Sequence, residues 1–484
     1  MRSSILTFVE QDHKIFESQR RFEGSVTKCG MIPSQSNASE SGYALVAVLF
    51  LVVILSLLST IIIKSDLFLR DQADAAVYQM QSAYAASSGI VLATAAVSSD
   101  PGLDSSFVAR FADGSNAKIT VVHWGLFEYA MSQGVSHFAK STRSALLADR
   151  LGDADAPALD LGNVSHGLVL AGKTRIVGDV EVGRQGVSTG SLGSSSEPRD
   201  VPVDGKIMKV ASPHQFLDTL IIDRETAAAK SIFLAAKRNV VPHFPGAVLD
   251  TSGYVNLSGL SDSIREIFGA GYLTLSGSIT KRGPPLRIIA TQGLNLLPGC
   301  SIIGPVAIYS ADSVSIPSGV NLVNAVIFSP ASISLLRGAT LTAQLFSPVI
   351  RCEPNSVANY PSLFVSVSLS DTSGVGQLVD IATDAKVSGA IVMRAGRGIS
   401  LREALIDIEP GSVITGEVYT DAYLTMDGTV EGLIRTFDLY FYDSPTTYIG
   451  WLRNGIIDRG SLPRGFLKPL GTQGGNGAGV LAWM

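Results

Sequence analysis

The chain has 484 residues, with 37 Lys and Arg against 42 Asp and Glu and a formal net charge of -5. That length allows two or three domains and a sizeable core. With 16% charged residues and an acidic balance, it lacks the basic surface that phosphates require, so nucleic acid is not expected as a partner. Cys29, Cys300 and Cys352 are too few and too scattered for a disulfide framework or a zinc knuckle, and they read as buried thiols.

Residues 1–42 read as a leader, with Met31 as an alternative in-frame start. From Tyr43 to Ile63 there is no charge, glycine or proline, and about 20 such residues in helix cross a bilayer core. A cleavable secretory signal fits poorly, because its apolar region runs for about 7 to 15 residues and ends in small ones. The helical pattern continues through the Ala-rich Ser65 to Val97, with no proline before Pro101. The expectation is therefore one helix over residues 43–98 that spans the membrane and continues beyond it.

Gly42 followed by Tyr43, Ala44, Leu45 and Val46, then an apolar helix running into an Ala- and Gln-rich segment, resembles the N-terminus of type IV pilin-like proteins and type II secretion pseudopilins. The resemblance implies cleavage by a prepilin peptidase between Gly42 and Tyr43, and packing of the mature helix beside those of other pilin-like subunits. Major subunits of the family carry glutamate at the fifth mature position, where this chain has Ala47. That departure resembles the K-type minor pseudopilins, for which the family implies a place at the filament tip. A buried carboxylate in hydrocarbon is kept only where a partner receives it, so a subunit that inserts below no other can lack it. The leader also departs from the family, since Glu40 stands two residues before the glycine and the nearest upstream cation is Lys28.

After the helix, residues 99–157 read as a mixed α/β segment. Residues 158–210 read as the first solenoid-like strands with a Gly/Ser loop, and residues 211–269 as a helical insertion with Ser212 as its cap. Val306 to Asn324 can then be written over Ala325 to Ala343 without a gap, Gly319 falling on Gly338. Leu286 to Gly304 fits the same frame with Pro305 left over, placing Gly299 on the same turn. A second pattern, a glycine followed by an alternating strand, recurs around Gly178, Gly304, Gly389, Gly416 and Gly432. Short repeats of alternating strand and fixed glycine are the mark of a β-solenoid, which stacks at about 4.8 Å per rung. These strands are similar to those of bactofilin-like and other bacterial parallel β-helix proteins. The solenoid is expected over residues 270–436, an aromatic cap over 437–470 and a loose tail over 471–484.

The six histidines are scattered, with no metal-ligand spacing, and no glycine cluster carries the lysine of a phosphate loop, so no metal and no cofactor is expected. Asp371, Asp380, Asp384 and Asp407 form the one carboxylate grouping suited to glycan chemistry; solvated loop acids are the plainer reading.

The expected fold class is thus mainly β with a long N-terminal transmembrane helix, carrying a parallel β-helix head with an α/β N-terminal part and a helical insertion. The expected function is non-enzymatic: a minor pilin-like subunit of a bacterial type IV pilus or type II secretion-like filament, used in assembly or surface contact. It would be a single-pass protein of the inner membrane with an extracytoplasmic head. The alternatives are an anchored β-helix protein that binds or cleaves surface polysaccharide, and a membrane-tethered cytoskeletal solenoid.

Overall fold

The computed structural model describes residues 41–100, 102, 104–151, 156–191, 201–212, 217–238, 247–261, 263–370, 376–395, 403–472 and 475–484. Residues 1–40 of the expected leader, Cys29 among them, lie outside the described residues. Two compact units divide between Ala73 and Asp74.

Helix α1, Ser41–Ser99, crosses that boundary as one uninterrupted element. Within the first unit every large apolar side chain from Leu45 to Leu69 is exposed. Within the second unit its residues Ile90, Ala93 and Val97 are buried against Ile119, Val121, Ala130 and Leu147 of an antiparallel sheet. Small residues on this face let helix and strands approach closely, and Ser136 Oγ lies 2.7 Å from Gln81 Oε1 at the contact.

That sheet runs β1 (Ser105–Arg110), β2 (Asn116–Trp124), β3 (Phe127–Ser136) and β4 (Ala139–Leu151), each antiparallel to the next. No helix occurs between Ser105 and Leu151, which corrects the mixed α/β expectation; long alternating strands joined by short turns close the sheet locally. The C-terminal segment is also corrected, because Gly475–Trp483 pairs antiparallel with β4 and so fills its open edge. Ser98 Oγ accepts from the Ala478 backbone nitrogen at 2.8 Å, tying that strand to α1.

Helix α2 is Thr219–Lys237, shorter than expected, and its N-cap is Asp218, whose carboxylate accepts from the Leu220 nitrogen at 3.0 Å. Ser212 stands six residues too early to reach those first-turn donors. Among the described residues strands come next, Ala247–Asn256 and Ile264–Ser276, so the coil stack includes residues from Ala247 rather than from residue 270.

From there, parallel strands stack rung on rung into a β-solenoid whose interior is lined by Ile, Val and Leu. The register follows the repeat: Ala307, Ile308 and Tyr309 pair with Val326, Ile327 and Phe328, and Val314 with Ile333. Pro305 marks the longer step, with Leu286 paired to Val306.

Two kinds of glycine shape each coil. Gly299, Gly319 and Gly338 hold φ of 85°, 83° and 70° in open turns, where handedness alone selects glycine. Gly389, Gly416 and Gly432 stack in register, and a Cβ on Gly416 or Gly432 would overlap the carbonyl oxygen of the glycine one rung below.

Spatial order departs from chain order at the far end. Ile434, Arg435 and Thr436 pair with Leu159, Asp160 and Leu161, and Ile456–Asp458 pairs with Arg175–Val177. Strands Val203–Asp204 and Ile207–Lys209 pair in turn with the strands at Ile176 and Val180. The early strands of residues 159–209 thus stack beyond the last rung and cover it, together with residues 446–458 of the expected cap.

Candidate functional site

Gly42 and Tyr43 lie in the first turn of α1, which starts at Ser41, and Ala47 follows on the exposed helix. From Ala44 to Ile63 the only polar side chains are Ser56, Ser59 and Thr60. Ser59 Oγ donates to the Leu55 carbonyl and Thr60 Oγ1 to the Ser56 carbonyl, both at 2.8 Å, so these hydroxyls are satisfied within the helix. Charge returns at Lys64, and Arg70 then pairs with Asp66 at 2.9 Å. This is a helix long and apolar enough to cross a bilayer.

The expected carboxylates do not all meet. Asp371 lies outside the described residues. Asp384 occupies a turn at φ 61°, away from the strand positions of the others. Asp380 and Asp407 are brought together, in register on adjacent rungs, with Arg351 opposite Asp380 and Thr425 opposite Asp407 on the outer neighbours. Burial raises Asp380, and the Glu409 carboxylate adds to it against Arg351. Asp407 is pushed up to about 6, first by burial and then by Asp380, Glu409 and Asp427. Glu409 stands only two residues beyond Asp407 on the same coil and was a usable signal, whereas Asp427 sits on the next coil and is visible only once the register is known.

A second polar group was also missed. His123 and Glu128 face each other across the β2–β3 hairpin, Nδ1 to Oε1 at 2.8 Å, and Arg224 Nη2 from α2 stands 3.1 Å from the same nitrogen. Burial works against the charged imidazole, but the Glu128 carboxylate more than offsets it, and His123 is raised. Glu225 is pushed up to about 7, chiefly by burial. His123 and Glu225 border a cavity of about 540 Å³ walled by Tyr309 and Phe328. The hairpin spacing of five residues was a usable signal for the pair; the helix was not.

The hairpin is clasped to the solenoid by Gln344. Its Nε2 donates to the Trp124 carbonyl at 2.7 Å and its Oε1 accepts from the Leu126 nitrogen at 2.9 Å. Beside it, Tyr309, Phe328 and Phe346 stack on successive rungs with centroids 4.7 and 4.8 Å apart.

Membrane-compatible helix, antiparallel sheet and parallel β-solenoid together define the class of this protein as mainly β with one long apolar N-terminal helix. No protein-family model matches the chain, and no curated protein matches it. Among solved structures it has a distant likeness to an ice binding protein from an Antarctic bacterium Flavobacteriaceae, with TM-score 0.19 and 10% identity over 66% of this chain and 99% of that one. A second distant likeness is to the competence-associated pilin ComZ from Thermus thermophilus, with TM-score 0.20 and 11% identity over 84% of this chain and 97% of that one. Scores at this level carry no argument about function, which rests here on the chain's own residues.

Proposed function

We propose that this chain is a membrane-inserted, pilin-like minor subunit that acts without catalysis in the assembly or surface contact of a type IV pilus or type II secretion-like filament. The carrying observation is α1: one unbroken helix, Ser41–Ser99, that contains the Gly42–Tyr43 junction in its first turn and has an exposed apolar first half. So much exposed apolar surface needs a lipid bilayer or other apolar helices around it. Lipid serves before assembly, and the helices of other pilin-like subunits serve afterwards. The lack of a carboxylate at Ala47 suits a subunit at the filament tip. The head is read as extracytoplasmic, the anchor as single-pass in the inner membrane.

Intact mass and N-terminal sequencing of the protein from native membranes test this reading. A mature N-terminus at Tyr43 supports it. A chain retaining residues upstream of Gly42 overturns it and leaves an ordinary anchor.

A second reading, glycan binding or cleavage, draws on the Asp380–Asp407 pair. Strand neighbours stand about 4.8 Å apart, close to the carboxylate spacing of about 5 Å used by retaining glycosidases. Loss of glycan binding or hydrolysis in a folded Asp380→Ala, Asp407→Ala variant would favour it.

A further inference from the structure

A pocket of about 620 Å³ opens where the end of β4 meets the C-terminal segment. Three arginines border it, Arg150 from β4, Arg459 from the short 3-10 turn Arg459–Ser461, and Arg464 from the loop that follows. Among the described residues no acidic side chain lines it. The rest of the wall is largely apolar, with Leu462, Phe466 and Val480 the principal surfaces.

Among the described residues none of the three arginines makes an ion pair, and Arg459 Nε is buried without a hydrogen-bond partner. The nearby Asp458 is already committed to the Gly460 and Ser461 nitrogens, at 2.9 and 3.2 Å, and to Ser461 Oγ at 2.8 Å. Glu417, fully buried behind the pocket, acts on Arg459, but the same carboxylate accepts from Tyr419 Oη and acts on Lys468 and Arg435. Lys468 in turn reaches the Thr472 carbonyl at 2.7 Å and stands 4.0 Å from Asp149. The carboxylates of this end are therefore shared among buried cations, while Arg150 and Arg464 are exposed and, among the described residues, make no ion pair.

Guanidinium groups match oxyanions in shape and bind them through paired N–H donors, and an apolar wall strengthens that attraction by excluding water. The volume is within the usual range for small-molecule sites, about 300 to 1,000 Å³. We propose that this pocket binds a small oxyanion, a carboxylate or a phosphate monoester, carried on an apolar body. Arg459 and Arg464 hold the anion, Arg150 adds charge at the rim, and Phe466 with Leu462 receives the apolar part.

The test is titration calorimetry of the full chain in dodecyl maltoside with phenyl phosphate and with 3-phenylpropionate, against phenol and phenethylamine as neutral and cationic controls. Saturable heat from either anion, weakening as salt is raised, is the expected result; which of the two binds tighter identifies the head group. Arg464→Gln, at an exposed side chain that makes no ion pair among the described residues, should weaken binding at least tenfold with an unchanged melting temperature, and Arg150→Gln should weaken it less. No heat from either anion, equal heat from phenol, or unchanged binding in Arg464→Gln overturns the proposal.

Discussion

Gly134 of β3 lies directly against the backbone of α1: a Cβ built on it would stand 2.5 Å from the Ala86 nitrogen and would overlap the Ser82 carbonyl oxygen. Backbone cannot swing aside as a long side chain can. Gly134→Ala should therefore push sheet and helix apart and cost about 3 kcal/mol, at the upper end of overpacking. Thermal unfolding of the full chain in detergent, followed by circular dichroism, should show a lowered midpoint, with faster proteolysis in residues 74–99.

The two glycine classes of the solenoid separate in the same way. Gly416→Ala meets both an unfavourable φ of 149° and the Gly389 carbonyl oxygen, and should cost about 3 kcal/mol. Gly338→Ala meets open space at φ 70°, and should cost about 1 kcal/mol from handedness alone. Chemical denaturation of the two variants side by side checks the ranking.

Gln344 satisfies two backbone groups of the β2–β3 hairpin that water does not reach, the Trp124 carbonyl and the Leu126 nitrogen. Gln344→Leu keeps the volume and strands both partners, at a cost of about 3 kcal/mol. Hydrogen exchange at Leu126 should accelerate more than the global loss of stability explains.

The Asp407 carboxyl is raised from 3.8 to about 6 on folding, so the folded state holds its proton longer than the unfolded chain does. Stability is then lost as pH rises through that window, and the loss is complete above it. Asp407→Asn should stabilise by about 1 kcal/mol at about pH 8, after discounting for solvent screening, and by almost nothing at about pH 4. Equal gains at both values would show that the Asp407 carboxyl is not raised on folding.

Cys300 and Cys352 are both free and buried in the coil interior. Burial pushes the Cys300 thiol up to about 11 and raises Cys352 further. Peptide mapping after iodoacetamide should find both unmodified in the folded chain and both alkylated in denaturant.

Much of the molecule is a local property of its sequence. The uncharged run from Tyr43 to Ile63 determines a helix and its exposed apolar face, because nothing in that stretch interrupts the backbone hydrogen bonds. The coil period is equally local, since Gly319 and Gly338 set the turn and the alternation between them sets which side chains face inward. What only the tertiary structure decided is which strands occupy the ends. Any strand of the right alternation satisfies an open rung, so the pairing of Leu159 with Ile434 is invisible from residues 275 positions apart. The same holds for Gly475–Trp483 on β4, for α2 bringing Arg224 to His123, and for the loop that sets Arg464 beside Arg459 and Arg150. In each case the partners are joined by packing and hydrogen bonding across the fold, and a sequence read in order carries no trace of which edge was left open.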